Sequence, residues 1–220
     1  RRTIFIGNRI GYETEFPIPT HGKFEKLKPL VTIGDAIGNM KIKNGEILNH
    51  DVEAAKISKE LIRKRVEKVP EGKGIRYKED ERAYLPKKLW LGVDWDTIGE
   101  GRLREEQYHR LGRDEVAPTI MTSRHTYFHP TETRYLTCRE AAAIQSFPNN
   151  YKFVGSIAQQ WRQIGNAVPP LLGKAIGKAI LKSLKTKKKA TTLESQVIRQ
   201  NAFSYEKDLT KDLLPITKFA

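Results

Sequence analysis

The sequence has one cysteine and no long apolar run, and each scarcity excludes a class of protein. A single cysteine among 220 residues rules out an intrachain disulfide and a zinc site built from several cysteines. No apolar stretch approaches the ~18 residues that a membrane-spanning helix needs, and no signal-peptide pattern is present. We therefore expect no membrane partner. The chain begins Arg1-Arg2 without a methionine, so we also expect a piece of a longer protein.

Acidic residues are outnumbered. The chain has 26 Asp and Glu against 40 Lys and Arg, a formal net charge of +14. Such a surplus creates a positive field whose commonest target is nucleic acid, and counterion release would supply the affinity. The alternative is a solvated lysine-rich surface, since part of the surplus lies in the run at 187–189. The 8 Phe, 8 Tyr and 3 Trp provide enough apolar volume for a core and exclude wholesale disorder.

Local patterns predict few regular elements in the first half of the chain. The β-branched and aromatic run at 3–7 predicts a short buried strand. Apolar residues at helical spacing after Asp51 predict a helix from about 52 to 68, with Asp51 as its cap. The other segments are predicted as an extended loop at 11–32, a short helical segment at 33–40, and irregular chain at 70–116 with a strand near 89–91.

Helix signals are stronger after residue 117. Thr137 and Glu140 have the spacing of a capping box, which predicts a helix that Pro148 ends. Two further helices are predicted at 156–164, ending at Gly165, and at about 168–184, with Pro169 and Pro170 in its first turn. From 186 to 220 we expect a basic linker and a C-terminal tail.

Features that suggest a nucleotide, metal or thiol site are weak. The glycine pairs at 72/74 and 99/101 lack the strand–turn–helix context of a dinucleotide site and are predicted to be loops. The five histidines show no metal-ligand spacing, so no metal site is predicted. Cys138 stands at a helix N-terminus, where the helix dipole lowers a thiol pKa. In a capping-box helix, however, a small inert residue is the default, and we expect Cys138 to be inert.

Two sequence blocks are far more specific. Residues 134–148 read R-Y-L-T-C-R-E-A-A-A-I-Q-S-F-P, and residues 163–170 read Q-I-G-N-A-V-P-P. In this order and spacing they closely resemble the last two conserved blocks of the DNA (cytosine-5) methyltransferase family. Residues 1–7 resemble the end of the family's Q-x-R-x-R block. The resemblance covers 1–7 and about 117–181, and it leaves 8–116 as the expected place of a variable target-recognition region.

The resemblance implies a reaction that this chain cannot complete by itself. Enzymes of the family flip a cytosine out of the duplex, add a cysteine thiolate to C6, assist at N3 with a glutamate, and methylate C5 with S-adenosylmethionine. The nucleophile lies in a Pro-Cys block, the glutamate in a Glu-Asn-Val block, and the cofactor loop in a Phe-x-Gly-x-Gly block. None of these patterns occurs here. Cys138 falls at a variable position of its block, so the resemblance also argues against it as the nucleophile.

The resemblance implies roles for a few residues in each matching block. Arg2 would hydrogen-bond the flipped cytosine, where a fixed cation stabilises developing charge; the alternative is a surface arginine at a frayed end. The segment that would line the cofactor pocket beside the methionine part is Gly165, Asn166, Ala167 and Val168. For Asn166 the alternative is simple capping of the next helix. A structural role is expected for Arg134, Arg139, Glu140 and Gln145.

Sequence readout is expected from two polar, basic stretches of the variable region, at 102–113 and 119–127. Loops rich in arginine, serine, threonine and histidine suit base-edge and phosphate contacts. The alternative is a solvated loop. The predicted DNA contacts are Arg110, Arg113, Ser123, Arg124 and His125.

The predicted fold class is α/β: the C-terminal portion of a doubly wound S-adenosylmethionine-dependent methyltransferase fold plus a small mixed α+β target-recognition domain. The predicted division gives the last strand region of the catalytic domain at 1–10 and target recognition at 11–135. Helices that close the catalytic domain and cofactor pocket are expected at 136–185, and the linker and tail at 186–220.

The expected function is that of the DNA-recognising C-terminal part or subunit of a DNA cytosine-5 methyltransferase. Its expected partners are double-stranded DNA and the N-terminal catalytic part, with which it would share S-adenosylmethionine. We expect it in the cytoplasm of a bacterium or archaeon, associated with the nucleoid when bound to DNA; a restriction–modification or phage-defence setting is compatible with these residues but is not read from them. Two alternatives stay open: a non-catalytic, sequence-specific DNA-binding module, and a fragment of a tRNA cytosine-5 methyltransferase.

Overall fold

The computed structural model describes residues 4–22, 26–48, 50–125 and 127–189. The chain divides into two compact units, one of residues 31–171 and the other of residues 1–30 with 172–220. The boundaries of these units, at 30/31 and 171/172, differ from the predicted domain boundaries at 10/11, 135/136 and 185/186. The roles of the predicted domains stay a prediction. Within the described residues the helices are α1 (Ile33–Ile37), α2 (Glu60–Lys68), α3 (Lys78–Tyr84), α4 (Cys138–Ile144), α5 (Ile157–Asn166) and α6 (Pro170–Thr186).

The strands of the described residues form two small antiparallel sheets. Strand β1 (Glu46–Ile47) pairs with β2 (His50–Asp51), and β3 (Ile75–Tyr77) pairs with β4 (Arg102–Gln107). In the second sheet Ile75 lies opposite Gln107 and Tyr77 opposite Arg102, with a register shift between them. The structure is therefore a mixture of helices and small sheets, and over the described ranges it contains no doubly wound sheet.

The predicted strand at 3–7 is wrong for the residues that the structure describes there. Residues 4–7 are assigned to no strand, and Phe5 is 88% exposed. A buried strand must pair its backbone N–H and C=O groups, and no described strand lies beside this segment.

Three helix starts, those of α4, α5 and α1, lie where the sequence predicts them. The Thr137–Glu140 capping box is confirmed: the Thr137 hydroxyl accepts from the Glu140 N–H at 3.1 Å, and the Glu140 carboxylate accepts from the Thr137 N–H at 2.8 Å. Ser156 and Gln159 form the same arrangement at the start of α5. The predicted short helical segment at 33–40 is confirmed as α1, which Thr32 caps.

The predicted helix at 52–68 is wrong in its first half. A single 3-10 turn at Glu53–Ala55 comes first, and α2 begins only at Glu60. The Ala55 carbonyl accepts from the Tyr135 N–H at 2.9 Å, and the Ala54 carbonyl accepts from Arg124. Because partners from elsewhere in the chain take these carbonyls, a continuous helix cannot use them. The Asp51 carboxylate caps the short turn instead, accepting from the Glu53 N–H at 2.7 Å.

Four other features differ from prediction. A 3-10 turn at Lys87–Leu89 replaces the strand predicted near 89–91, and the segment predicted as irregular holds β3, α3 and β4. Helix α5 continues through Gly165 to Asn166, and α6 begins at Pro170 instead of 168. Asn166 is therefore the last residue of α5 and does not cap α6.

The main core of the 31–171 unit lies between α1, α4 and α5. Trp161 is 2% exposed and stacks on Tyr127, with ring centroids 6.0 Å apart and an interplanar angle of 1°. The other unit packs α6 against the N-terminal segment, where the Glu15 N–H donates to the Ser183 hydroxyl at 2.9 Å. No helix among the described residues is long and apolar enough to span a membrane.

Candidate cofactor wall and DNA-contact loop

A buried ion pair joins the two halves of the 134–148 block. The Arg134 guanidinium donates to both carboxylate oxygens of Glu140 at 2.8 Å, and these residues are 5% and 2% exposed. Burial by itself would lower the pKa of Arg134, but hydrogen bonds to Glu140 and Glu132 outweigh it and raise the pKa. Burial would raise the pKa of Glu140, but Arg134 holds it below the usual value. Both groups are therefore charged, and their position agrees with the structural role expected for them.

Arg139 fixes the turn that follows α4. It is fully buried, and its guanidinium donates to the carbonyls of Tyr151 at 2.9 Å, Pro148 at 3.3 Å and Phe147 at 3.4 Å. These bonds hold the segment after Gln145 against the helix. Arg139 thus acts inside the protein, as expected.

The predicted cofactor residues lie on one short segment at the end of α5. Gly165 is buried, Asn166 and Val168 are exposed, and Ala167 is half-buried. Gly165 allows a close backbone approach, but the group that approaches it is the Met121–Thr122 backbone of this chain and not a cofactor. A Cβ at this position would lie 2.5 Å from the Met121 carbonyl carbon and oxygen and 2.7 Å from the Thr122 nitrogen.

Three of the predicted DNA contacts share one loop. Ser123 and His125 are exposed, and the Ser123 hydroxyl accepts from the His125 N–H at 3.4 Å. Arg124 is half-buried: it donates to the Ala54 carbonyl and its guanidinium carbon lies 5.5 Å from the centre of the Tyr135 ring. Ser123 and His125 are thus exposed to solvent, whereas Arg124 between them is held by contacts with the protein.

The other two predicted contacts lie outside this loop. Arg110 is 7% exposed and donates to the carbonyls of Val66, Val69, His129 and Glu132 at 3.3–3.5 Å. That burial leaves Arg110 no surface for a phosphate or base edge, so in this structure it organises loops instead. Arg113 is exposed and paired with Glu71 at 2.9 Å.

The remaining predictions concern Arg2, the cysteine and metals. Arg2 lies outside the described residues. Cys138 is 5% exposed, and burial raises the pKa of its thiol to about 12, so the helix dipole does not activate it. Among the residues that the structure describes, no cluster of histidine, cysteine and acidic side chains could hold a metal.

A cavity of about 200 Å³ lies between the β1–β2 hairpin and the N-terminal ends of α4 and α5. Its walls include His50, Cys138, Phe153, Gln160 and Trp161. Residues 165–168 do not line it, so it is separate from the predicted cofactor wall.

Comparison with known proteins gives a family match over most of the chain. Residues 1–182 match the family model of the C-5 cytosine-specific DNA methylases. The chain belongs to this family. It is similar to the type II methyltransferase M1.HphI of Haemophilus parahaemolyticus, with 36% identity over 82% of this chain and 43% of the relative. It is also similar to M.NgoFVII of Neisseria gonorrhoeae, with 32% identity over 96% of this chain and 53% of the relative.

The similarity extends to a plant enzyme. The DNA (cytosine-5)-methyltransferase CMT2 of rice is 38% identical over 46% of this chain and 8% of its own length. The chain spans about half or less of the length of each of these relatives.

DNA methylases of this family use S-adenosylmethionine, and residues 165–168 are the segment expected to line its site. The backbone of Met121 and Thr122 occupies the space beside Gly165. Asn166 and Val168 are exposed to solvent. The segment is an open edge that suits one wall of a cofactor site, and it encloses no cofactor by itself. No catalytic step through the cofactor follows from these residues.

Sequence reasoning missed one residue of this region. Ser146 has a φ of +63°, an unusual value for a residue that is not glycine, and it contacts the start of α6. Serine has no preference for this conformation, so the sequence carries no signal for it. Gln145 was expected to be structural, but its sequence position does not reveal which backbone group it binds.

Proposed function

We propose that this chain is the C-terminal, DNA-recognising part or subunit of a DNA cytosine-5 methyltransferase. The nucleophilic cysteine and most of the cofactor site would belong to an N-terminal part or partner subunit. The state of Cys138 carries this proposal. The family's chemistry needs a thiolate, yet the one cysteine of this chain is buried with its pKa raised to about 12. A thiol in that state is a poor nucleophile.

In this proposal residues 165–168 form one wall of the S-adenosylmethionine site, and Arg2 contacts the flipped cytosine. Ser123 and His125 face the DNA from the exposed loop, with Arg124 beneath them, and Arg113 reaches a phosphate. The base would be flipped because C5 and C6 cannot be reached productively within the stack. The names of the bacterial relatives, type II methyltransferases, support a restriction–modification setting.

Exposed apolar side chains on α6 support the existence of a partner part. Leu181 is 58% exposed, Leu184 43% and Ile180 38%, all within two turns of one helix. In the same unit, Phe5 is 88% exposed. Large exposed apolar groups that cluster mark interaction surfaces, and an abutting catalytic part would cover these.

Methyl transfer tests the proposal. Tritiated S-adenosylmethionine and duplex DNA are mixed with the chain alone, and with the chain plus the N-terminal part that carries the Pro-Cys and Glu-Asn-Val blocks. We expect label in DNA only with both parts present. Turnover by the chain alone would contradict the proposal.

A cysteine exchange is the matched control for that experiment. Cys138→Ser should leave methyl transfer by the reconstituted enzyme within about twofold of wild type, because a buried, protonated thiol takes no part. The same exchange in the partner's Pro-Cys block should abolish transfer. Loss of activity in the Cys138 variant, with the fold intact by circular dichroism, would place the nucleophile in this chain.

The net charge of +14 also suits a second candidate, a DNA-binding module without catalytic function, although such a module has no need of the segment at 165–168. Calorimetric titration of S-adenosylmethionine into the chain plus its N-terminal part separates the two: binding favours the methyltransferase, and its absence favours the module. Running the transfer assay on tRNA beside duplex DNA tests the remaining alternative, a tRNA methyltransferase fragment.

A further inference from the structure

Two consecutive residues form hydrogen bonds at the two ends of the segment that joins α5 to α6. We define the connector as residues 165–170; it contains the whole predicted cofactor wall. Gln145 and Ser146, which directly follow α4, bind the two residues that flank the connector, Ile164 and Leu171. Gln145 and Ser146 lie in the 134–148 block, not in the connector's own block.

Gln145 holds the α5 end. Its side chain is 7% exposed, and its amide nitrogen donates to the Ile164 carbonyl at 3.0 Å. The Ala167 N–H donates to the same carbonyl at 3.3 Å. The Ile164 carbonyl therefore accepts two hydrogen bonds, one from the residue after α4 and one from within the connector.

Ser146 holds the α6 end. Its hydroxyl accepts from the Leu171 N–H at 3.2 Å. Leu171 lies in the first turn of α6, where N–H groups have no partner within the helix, so Ser146 acts as a cap supplied from another part of the chain. Its φ of +63° is costly for serine and persists where the surroundings impose it. Arg139 supplies such a constraint by binding the carbonyls of residues 147, 148 and 151.

We propose that Gln145 and Ser146 are positioning residues for the cofactor wall. They fix both ends of the connector, so that residues 165–168 keep one shape before the cofactor binds. The cofactor part of this inference rests on the proposed function. The clamp itself is a property of this chain and can be measured without any cofactor.

Amide hydrogen exchange on the full 220-residue chain tests the clamp. Ser146→Ala should speed exchange of the Leu171 N–H about tenfold, the loss expected for one hydrogen bond. Gln145→Met, which keeps the side-chain length, should also speed exchange of the Ala167 N–H, because the Ile164 carbonyl that accepts this N–H loses the bond that holds it in place. Gln163→Met is the matched control, because Gln163 also donates to a carbonyl, that of Val154 at 3.0 Å, but is exposed; it should leave both amides unchanged. Unchanged exchange in Ser146→Ala and Gln145→Met would overturn the clamp.

A further variant separates positioning from stability. Ser146→Gly removes the hydroxyl but suits a positive φ, so the protein should be as stable as wild type or more so while Leu171 exchanges faster. If exchange at Leu171 simply follows global stability, the residue is structural only and the proposal fails.

The complete methyltransferase then tests the cofactor role. Ser146→Ala and Gln145→Met should raise the KM for S-adenosylmethionine about tenfold and leave kcat within about twofold, because the wall is displaced and the reacting groups are not. Ser146→Asn, which supplies an acceptor and tolerates positive φ, should recover most of the loss. An unchanged KM beside altered exchange would refute the cofactor role alone. A wild-type enzyme that binds no cofactor would instead refute the proposed function.

Discussion

Gly165 shows how a single missing methyl group determines local structure. Alanine normally stabilises a helix relative to glycine by about 1 kcal/mol, yet here an added Cβ would lie 2.5–2.7 Å from the backbone of Met121 and Thr122. Backbone cannot yield as a flexible side chain does. We therefore expect Gly165→Ala to destabilise the protein by about 1–3 kcal/mol, the range of overpacking, as measured by denaturant unfolding.

Gly177 is the matched control for that substitution. It also lies within a helix, α6, but a Cβ there would meet nothing within 4 Å. Gly177→Ala should stabilise the helix by up to about 1 kcal/mol. If both substitutions shift the unfolding midpoint in the same direction, the close approach at Gly165 is not what determines its residue type.

The ion pair of Arg134 and Glu140 gives a second prediction at this scale. Arg134→Met leaves a carboxylate that is 2% exposed without its partner, and breaking a buried pair in this way typically costs about 3–5 kcal/mol. Arg113→Met breaks the more exposed pair with Glu71 and should change stability far less, because solvent screens an exposed pair. Thermal or denaturant unfolding of the two variants gives the comparison; equal losses would show that burial is not the cause.

At the scale of elements, two largely buried histidines contact other segments of the chain. The Phe153 N–H donates to Nε2 of His50 at 3.4 Å, which joins the β1–β2 hairpin to the chain before α5. His129 lies beside the Arg134–Glu140 pair, with its Nε2 3.5 Å from Glu140. Burial lowers the pKa of both rings, and Arg139 near His50 and Arg134 near His129 lower it further.

These lowered pKa values predict acid sensitivity. The histidines of the unfolded chain take up protons near pH 6.5, whereas those of the folded protein take them up only at lower pH. The contribution of the two histidines to folding stability is therefore complete above about pH 6.5. It falls as the pH drops towards the folded-state values, by at most about 1.4 kcal/mol per pH unit for each ring. Unfolding measured from pH 7.5 to 5.5 should show this decline, and replacing both histidines with glutamine should flatten it. An unaltered slope in the double variant would assign the decline to other groups.

The elements also show what sequence could predict. Caps are local chemistry, so Thr137 with Glu140 predicted the start of α4 correctly. The break before α2 depends on Tyr135 and Arg124, which bind the carbonyls of residues 54 and 55 from about 70 residues further along the chain. No periodicity within 52–68 carries that information. Residues 165–168 are predicted as a cofactor segment by resemblance, whereas the proposed clamp at Ser146 depends on a backbone angle that serine does not indicate.

At the scale of the whole molecule, the net charge of +14 predicts strongly salt-dependent DNA binding. Each phosphate that the chain neutralises should contribute about −0.9 to the slope of log K against log salt. Fluorescence anisotropy of labelled duplexes at several salt concentrations measures that slope. We expect Arg113→Ala to reduce it by about one, and Ser123→Ala with His125→Ala to change the preference between duplex sequences without altering the slope. A slope near zero for the wild-type chain would exclude electrostatic binding to DNA.

The contact between Gly165 and the backbone of Met121 and Thr122 has a consequence for redesigning sequence specificity. The segment that supports the proposed cofactor wall also leads into the exposed loop at 123–125. A loop transplanted from another methylase should therefore be spliced after residue 122. A splice placed earlier would also replace the backbone that Gly165 contacts, so the proposed DNA contacts and the proposed cofactor wall would change together.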